Sequence, residues 1–324
     1  MQVIAVGGST LGGSGKTPLA IACAKELAAS GARVAIVGHA YRSDPRRARV
    51  VSPVDPIDEV GDEALLAARS LDRPGSERVS VVVAPTRGEA IDRAARLADV
   101  LVLDGIAQLG PTPAALSLLA VDPERPWGRR PALPPRGSVR APVETLVAAC
   151  DAIVTVGEGR PADGLFELGR SVWPSRVDSR GVLVVGSSAG SIPGGVDEWV
   201  HEGTIMTLLP WPAVRALRVG LLTALARPER IMRTLAARGV VPRATVSTRD
   251  HGPFGGRARR RAAAEARDHG IDMWLATPKC ALHAARDLPA LRVAVVDHLV
   301  TLHPSLRKRL RDIASSDAQA MAAP

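Results

Sequence analysis

Short, uninterrupted apolar runs alternate with stretches of helical periodicity in the first half of the chain. The apolar runs, typical of strands buried on both faces of a sheet, are residues 2–8, 32–38, 79–85 and 99–105. The stretches with apolar residues at helical spacing are 17–30, 62–71 and 89–98. This alternation predicts an α/β fold with a mostly parallel sheet and helices on both faces.

The pattern also predicts two units. A Pro- and Arg-rich stretch at 123–142 interrupts the alternation, and its prolines exclude a regular helix or a central strand, which leaves a long functional loop or an interdomain segment. From about residue 215 strand and helix patterns alternate again. We therefore expect a first unit at 1–160, a linker at 161–175 and a second, smaller α/β domain at 176–324.

Composition narrows the classes of partner. The chain has 324 residues, 46% of them hydrophobic, which excludes disorder as its main state. A net charge of +9 favours phosphate-bearing partners such as nucleotides or anionic lipid surfaces. Nucleic acid is not expected, because five Trp, one Tyr and two Phe are too few for stacking platforms.

The cysteines and the N-terminus bear on location. Cys23, Cys150 and Cys280 are too far apart for a zinc site and odd in number for a disulfide framework, so a reducing compartment fits best. No basic segment precedes the first apolar run, and no run approaches the roughly 18 apolar residues of a membrane span. We expect peripheral membrane contact at most, and a monomer.

The strongest motif is Thr-Leu-Gly-Gly-Ser-Gly-Lys-Thr at 10–17, between the first predicted strand and helix. Such a loop cradles phosphate oxygens with backbone N–H groups, its lysine neutralises β/γ-phosphate charge and its last hydroxyl holds Mg²⁺. The strict pattern has Gly where Thr10 stands, and a Gly-rich turn is the alternative. The predicted nucleotide-binding residues are Thr10, Gly12, Gly13, Ser14, Gly15, Lys16 and Thr17.

A carboxylate at the end of a neighbouring strand completes such a site. Asp104 follows the apolar run 99–103 and is the candidate Mg²⁺ ligand together with Thr17. The alternative is that Asp104 caps the turn at Gly105.

An ordered series of motifs resembles the tetraacyldisaccharide 4′-kinase family, which phosphorylates a lipid-linked glucosamine disaccharide. The segments that carry the resemblance over most of the chain are GGSTLGGSGKTPLA, GHAYRS, VGDEALL, LVLDGIAQL, RRPALPPRGSVRAP, LTALARPERIMRTL, DHGPF and ATPKC. The resemblance implies a phosphate-loop NTPase-type fold and transfer of the ATP γ-phosphate to the 4′-hydroxyl of a tetraacyldisaccharide 1-phosphate, with Mg²⁺ as cofactor.

The resemblance also implies roles for individual residues. Asp62 and His251 match an Asp–His pair near the attacking hydroxyl, with His251 contributed by the second unit to an interdomain cleft. Glu63 is a further candidate metal ligand. Candidate substrate-binding residues are Tyr41, Arg87, Gln108 and Arg140. Without the resemblance, Asp62 would be a helix N-terminal residue, His251 a turn residue and the others solvated surface residues.

The chain departs from the family pattern in ways that bear on catalysis and membrane attachment. One carboxylate of the family's LDDGxQH motif is missing, since Gly105 follows Asp104. The apolar helix that usually precedes the first strand is not seen here. Adhesion to the cytoplasmic face of the inner membrane would then fall to one of two basic segments, unless both are ordinary solvated helix faces. Their basic residues are Arg257, Arg259, Arg260, Arg261 and Arg267, and Arg307, Lys308, Arg309 and Arg311.

Two other functions stay open at this point. A phosphate-loop NTPase switch would use hydrolysis to drive a conformational cycle without phosphorylating a metabolite. A degenerate paralogue would bind nucleotide without catalysis, which the missing carboxylate keeps open.

Overall fold

The structure is a computed structural model that describes residues 1–38, 40, 43–72, 75–108, 113–186, 196–201, 204–249 and 252–322. The backbone alone is described at 185–186, 196–201, 204–206 and 317–322. The chain divides into two compact units, the first formed by residues 1–177 with 300–324 and the second by residues 178–299.

Strands and helices alternate as the apolar pattern predicts. The strands in chain order are β1 (Gln2–Gly8), β2 (Val34–Val37), β3 (Arg49–Val50), β4 (Val79–Val83), β5 (Val100–Asp104), β6 (Leu116–Val121), β7 (Ala152–Val156), β8 (Ser171–Asp178), β9 (Gly181–Gly186), β10 (Val196–His201), β11 (Thr204–Pro210), β12 (Val219–Thr223), β13 (Ala244–Ser247), β14 (Met273–Ala276), β15 (Val293–Val296) and β16 (Leu299–Thr301). The α-helices are α1 (Lys16–Ala29), α2 (Ile57–Val60), α3 (Asp62–Leu71), α4 (Arg87–Ala95), α5 (Val143–Ala148), α6 (Trp211–Arg215), α7 (Pro228–Ala237), α8 (Gly256–Asp268), α9 (Pro278–Asp287) and α10 (Pro304–Ala322). Within the described ranges, no helix combines the length and apolar character that crossing a bilayer requires.

The first unit is built on a nine-stranded sheet in the order β16-β8-β7-β6-β1-β5-β2-β4-β3. The pairs from β8 through β4 are parallel, and β3 pairs antiparallel with β4 at one edge. The chain fills one side of β1 with β2, β4 and β5 and then crosses to the other side for β6, β7 and β8. The carboxyl ends of strands flanking such a change of direction are where α/β sheets bind ligands.

The central strands are apolar on both faces because helices cover both. Ala90 and Ala94 of α4 pack with Val37, Val82 and Leu103 on one face. Strand side chains alternate between faces, so Ile36 and Val102 point to the other face, and α1 packs against β1, β2, β5 and β6. The mostly parallel α/β architecture predicted from the apolar runs is confirmed.

The second unit has its own seven-stranded sheet in the order β10-β11-β9-β15-β14-β12-β13. Strands β13, β12, β14 and β15 are parallel, whereas β9, β10 and β11 add an antiparallel half. One face is covered by α7, whose Ile231 and Leu235 join a core with Leu221 and Val296. The other face is covered in part by α8 and α9 around Trp274 and Phe254.

The unit boundaries differ from the predicted ones at two places. Residues 161–175 do not form a linker throughout, because Ser171–Asp178 is strand β8 and pairs in parallel register with β7. The C-terminal helix α10 belongs to the first unit. It packs against α1, it buries Leu306 and Leu310 completely, and its Arg307 forms an ion pair with Glu26 of α1 at 2.9 Å.

We predict that Leu310→Ala lowers the free energy of unfolding by about 2–5 kcal/mol, because it leaves a cavity at a fully buried position. The exposed neighbour Arg309 provides the control: Arg309→Ala is expected to stay within about 0.5 kcal/mol of the parent. Urea unfolding followed by circular dichroism measures both. Equal effects of the two substitutions would contradict the burial of α10 in the core of the first unit.

Candidate active site

The parallel register of β1 and β5 brings the predicted metal ligand to the predicted phosphate loop. Val6 lies opposite Asp104 in this pairing, two residues before the end of β1. The loop at residues 9–15 then leads directly into α1, which begins at Lys16. Thr17 and Asp104, which are 87 positions apart in sequence, are therefore neighbours at the carboxyl edge of the sheet.

The loop turns into the helix through a left-handed residue. Gly15 has φ +90° and precedes the first helical residue. A Cβ atom at this position would also lie 2.7 Å from Cβ of Val156, so space and backbone conformation both require glycine. Thr10, which stands where the strict motif has Gly, is fully buried, and its Oγ1 donates a hydrogen bond to the carbonyl of Gly12 at 2.8 Å.

Thr17 and Asp104 form the polar contact at the base of the loop. Thr17 Oγ1 donates to Asp104 Oδ2 at 2.6 Å, and the Asp104 side chain is buried. Asp104 Oδ1 is also buried and accepts no hydrogen bond from the described residues. Burial raises the pKa of Asp104, although Lys16 opposes this shift.

Lys16 is held by the first turn of α3. Its Nζ lies 2.5 Å from Oε1 of Glu63, and both side chains are largely buried. Burial alone would lower the pKa of Lys16, but the negative charges of Asp104 and Glu63 outweigh it and raise the pKa. Asp62, the first residue of α3 and the one before Glu63 in the sequence, is also buried. The lysine is therefore cationic at neutral pH.

Two arginines extend the positive charge around Lys16. Arg87 is the first residue of α4, and its Nη1 donates to the carbonyl oxygen of Asp104 at 2.9 Å. Arg140 Nε donates to the carbonyl oxygen of Thr10 at 3.1 Å. Both arginines lie close enough to interact electrostatically with the acidic groups or with Lys16. The loop is thus surrounded by three cationic side chains.

The Pro- and Arg-rich stretch supports the loop from outside. Leu11 N donates to the carbonyl of Ser138 at 2.8 Å and Arg140 N donates to the carbonyl of Ser9 at 3.0 Å. Thr10 and Val139 form an isolated antiparallel bridge between these bonds. Sequence reasoning identified this stretch as a functional or interdomain segment and missed that it pairs with the phosphate loop, since no local pattern marks a two-residue bridge.

The missing carboxylate leaves Arg87 next to Gly105. Gly105 has φ +88°, a conformation that glycine adopts without strain, and a Cβ there would lie 3.7 Å from Nη2 of Arg87. The site nevertheless remains connected. Lys16 contacts Glu63 and Thr17, Thr17 contacts Asp104, and the Asp104 carbonyl oxygen accepts a hydrogen bond from Arg87.

The structure brings together most, but not all, of the predicted residues. Residues 10–17, Glu63, Arg87, Asp104 and Arg140 share the contacts described above. Gln108 is exposed, and its Oε1 accepts a hydrogen bond from Ala114 N at 3.2 Å. Tyr41 and His251 lie outside the described residues.

The donor set suits a Mg²⁺ ion that a nucleotide brings with it. Nowhere in the described ranges do three or more His, Cys, Asp or Glu side chains form a metal-holding group by themselves. Mg²⁺ often uses one or two protein oxygens, several waters and substrate phosphates, so Thr17 Oγ1 and the buried Asp104 Oδ1 would suffice as protein ligands.

Comparisons with known proteins agree with this geometry. A sequence model of the family described as "Tetraacyldisaccharide-1-P 4'-kinase" matches residues 1–315. A tetraacyldisaccharide 4'-kinase of Anaeromyxobacter sp. (strain Fw109-5) is 35% identical over 74% of this chain and 62% of its own length. Another, of Rhodopseudomonas palustris (strain TIE-1), is 30% identical over 93% of this chain and 80% of its own length.

A solved structure shares the fold. It is LpxK from Aquifex aeolicus, described as an "apo" form in complex with ATP, with a TM-score of 0.65 and 20% identity. The match covers 97% of this chain and 88% of that protein. Since the family model spans nearly all of the chain and the sheet carries the loop, lysine and carboxylate in the expected places, the chain belongs to the tetraacyldisaccharide-1-P 4'-kinase family, a family of phosphotransferases with an alcohol group as acceptor.

Proposed function

We propose that this chain transfers the γ-phosphate of ATP to the 4′-hydroxyl of a tetraacyldisaccharide 1-phosphate, a lipid A precursor. The observation that carries the proposal is the set of contacts joining Lys16, Glu63, Thr17 and Asp104 at the end of the glycine-rich loop. These groups provide a cation for phosphate oxygens and oxygen ligands for Mg²⁺. Membership of the tetraacyldisaccharide-1-P 4'-kinase family is the reason for proposing this disaccharide as the phosphate acceptor.

Binding of a triphosphate would rearrange one contact. Lys16 is paired with Glu63 in the structure, and phosphate oxygens of ATP would replace this carboxylate as its partner. The first N–H groups of α1, at the positive end of the helix dipole, would bind further phosphate oxygens. Thr17 and Asp104 would hold Mg²⁺, which when bound supplies positive charge that neutralises the charge developing on the transferred group.

Glu63 gains a second role from this exchange. With Lys16 held by phosphate, the Glu63 carboxylate would be free of its ion pair and would be a further residue, beside Thr17 and Asp104, that could hold Mg²⁺. Arg87 and Arg140 add positive charge next to the loop. They would help to compensate for the carboxylate that the chain lacks at Gly105 by binding the phosphates directly, since guanidinium groups bind phosphate oxygens in a fixed, forked geometry.

Asp62 and His251 would act on the acceptor. Asp62 is buried at the start of α3, next to the residue that holds Lys16. In the proposed mechanism, His251 accepts the proton of the 4′-hydroxyl and Asp62 orients the imidazole, while the hydroxyl oxygen attacks the γ-phosphorus and ADP leaves. The phosphate ester forms as the bond between the β,γ-bridging oxygen and the γ-phosphorus breaks.

Helix α8 is the better candidate for contact with an anionic membrane. It buries Ala262 and packs Ala258 and Ala266 against the core that contains Trp274 and Phe254. Five arginines of the helix are exposed. One of these arginines, Arg261, is paired with Glu265, whereas in α10 two of the four basic residues are paired, Arg307 with Glu26 and Lys308 with Asp312. Peripheral contact of α8 with anionic headgroups would bring the enzyme to its lipid substrate.

The kinase proposal is tested with radiolabelled ATP and a tetraacyldisaccharide 1-phosphate. We expect Mg²⁺-dependent label transfer that Lys16→Ala lowers at least about 100-fold, because the cation that stabilises the transferred phosphate is lost. Lys308→Ala, at an exposed position, is the control and should keep full activity. Nucleotide binding without any transfer in the parent chain would instead support a degenerate paralogue.

The Asp–His pair is tested by separating turnover from nucleotide binding. Asp62→Asn and His251→Gln should each lower kcat about 100-fold or more while leaving the Kd for Mg²⁺-ATP nearly unchanged. The double variant should be little worse than either single one, because residues that act as a unit are not additive. Asp58→Asn, at an exposed position of the preceding helix α2, is the matched control. Additive effects would show that the two residues act separately.

Membrane contact is tested by sedimentation with vesicles that contain phosphatidylglycerol. Replacing Arg257, Arg260 and Arg267 with Gln should weaken binding about 100-fold, since each arginine near an anionic surface contributes about 1 kcal/mol. The matched triple variant of Lys308, Arg309 and Arg311 in α10 removes the same charge and should have a much smaller effect. Equal losses in both variants would mean that net charge, not α8, determines binding.

A further inference from the structure

A second polar cluster lies at the carboxyl edge of the parallel strands in the second unit. Strand β12 ends at Thr223, Thr277 follows the last residue of β14, and His298 lies two residues after the end of β15. These strands are adjacent in the sheet, in the order β15-β14-β12. The cluster involves none of the residues assigned above to phosphate transfer.

The three side chains share one face of the sheet. Leu221, Leu275 and Val296 all belong to the core covered by α7. Thr223, Thr277 and His298 each follow one of these residues by two positions, and side chains two apart on an extended chain point to the same face. The cluster therefore caps the α7 side of the sheet at its carboxyl edge.

The N-terminal turn of α7 lies at this same edge and has a net positive charge, since it carries Arg227 and Arg230 against one carboxylate, Glu229. The helix begins at Pro228, five residues after the end of β12, and Arg227 is its N-cap residue with 8% exposure. Arg230 lies close enough to His298 for its charge, after burial of the ring, to help lower the pKa of His298 to about 4. Positive side chains at a helix N-terminus add to the positive end of the dipole, an arrangement that an anion stabilises.

One buried hydroxyl of the cluster is available to donate to a ligand. Thr223 is 1% exposed, and its Oγ1 has no hydrogen-bond partner among the described residues. An unpaired buried hydroxyl is costly, and native structures normally satisfy such groups. Thr277 Oγ1 accepts a hydrogen bond from Cys280 N and so keeps its own hydrogen available for donation. Two hydroxyls and a positively charged helix end are the donors that bind a phosphate group.

We propose that Thr223, Thr277, His298 and Arg230, together with the first turn of α7, bind the phosphate monoester of a sugar phosphate. The crevice at the carboxyl ends of adjacent parallel strands is where α/β sheets bind ligands. Neutral His298 contributes an N–H donor, and Arg230 contributes charge. That the sugar phosphate is the acceptor substrate, which keeps its own phosphate at the end opposite the reaction, rests on the proposed kinase function; the anion site itself does not.

The test uses the full-length chain and the ring-proton NMR signal of His298, assigned by its loss in His298→Asn. Inorganic phosphate and N-acetylglucosamine 1-phosphate should both shift this signal, whereas N-acetylglucosamine and chloride at equal ionic strength should not. Thr223→Val and Arg230→Gln should each weaken the phosphate response about tenfold or more. Arg233→Gln, one turn further along α7, removes the same charge from an exposed position and should leave the response unchanged.

Three results would overturn the proposal. No phosphate-dependent shift would exclude an anion site, and equal shifts in all variants would exclude these residues as its ligands. A response to inorganic phosphate but not to the sugar phosphate would exclude the sugar phosphate as ligand.

The same measurements are independent of catalysis. A chain whose His298 responds as expected but that transfers no phosphate retains this site and refutes the kinase proposal. A chain that transfers phosphate but shows no response at His298 supports the kinase proposal and refutes this anion site.

Discussion

Parallel pairing of β1 with β5 is the constraint on which the candidate active site depends. It sets Val6 opposite Asp104 and so places a carboxylate beside the loop that leads into α1. The pairing is held by strands that are buried on both faces and therefore contain almost no polar residues before their carboxyl ends. Polar chemistry is concentrated at that edge because the sheet interior excludes it.

The polar side chains at this edge, including the Lys16 ammonium group, are paired with carboxylates of the protein itself. Lys16 has Glu63 as its partner, and Thr17 has Asp104. A buried lysine without such partners would favour its neutral form, but the two carboxylates keep it charged and ready for phosphate. The ion pair thus keeps Lys16 charged, and under the proposed function phosphate oxygens would replace Glu63 as its partner.

Local patterns predicted what depends on local sequence. Continuous apolar runs predicted β1, β2, β4 and β5 of the first sheet, and the Gly-Lys-Thr loop predicted the start of α1 within a residue. Asp104 was identifiable because it is the acidic residue at the end of a continuously apolar run, as expected for a buried strand of the same parallel sheet as β1. The contact between Lys16 and Glu63, by contrast, joins a loop to the first turn of a helix 47 residues away, and no periodicity encodes that distance.

Long-range pairing accounts for what the sequence did not reveal. The bridge between Thr10 and Val139 depends on backbone groups alone, so no side-chain pattern marks it. The assignment of α10 to the first unit depends on an ion pair and an apolar stripe that meet a helix near the other end of the chain. The roles of Tyr41 and His251 remain predictions, since both residues lie outside the described part of the chain.

The return of α10 to the first unit has a consequence for biosynthesis. Residues 178–299 form a complete unit with its own sheet, inserted between β8 and the last segment of the first unit. A ribosome therefore finishes this insert before it makes the helix that covers α1. The first unit begins to form before the insert and is completed only after it, so the nascent chain keeps an apolar surface of α1 uncovered until α10 has been made.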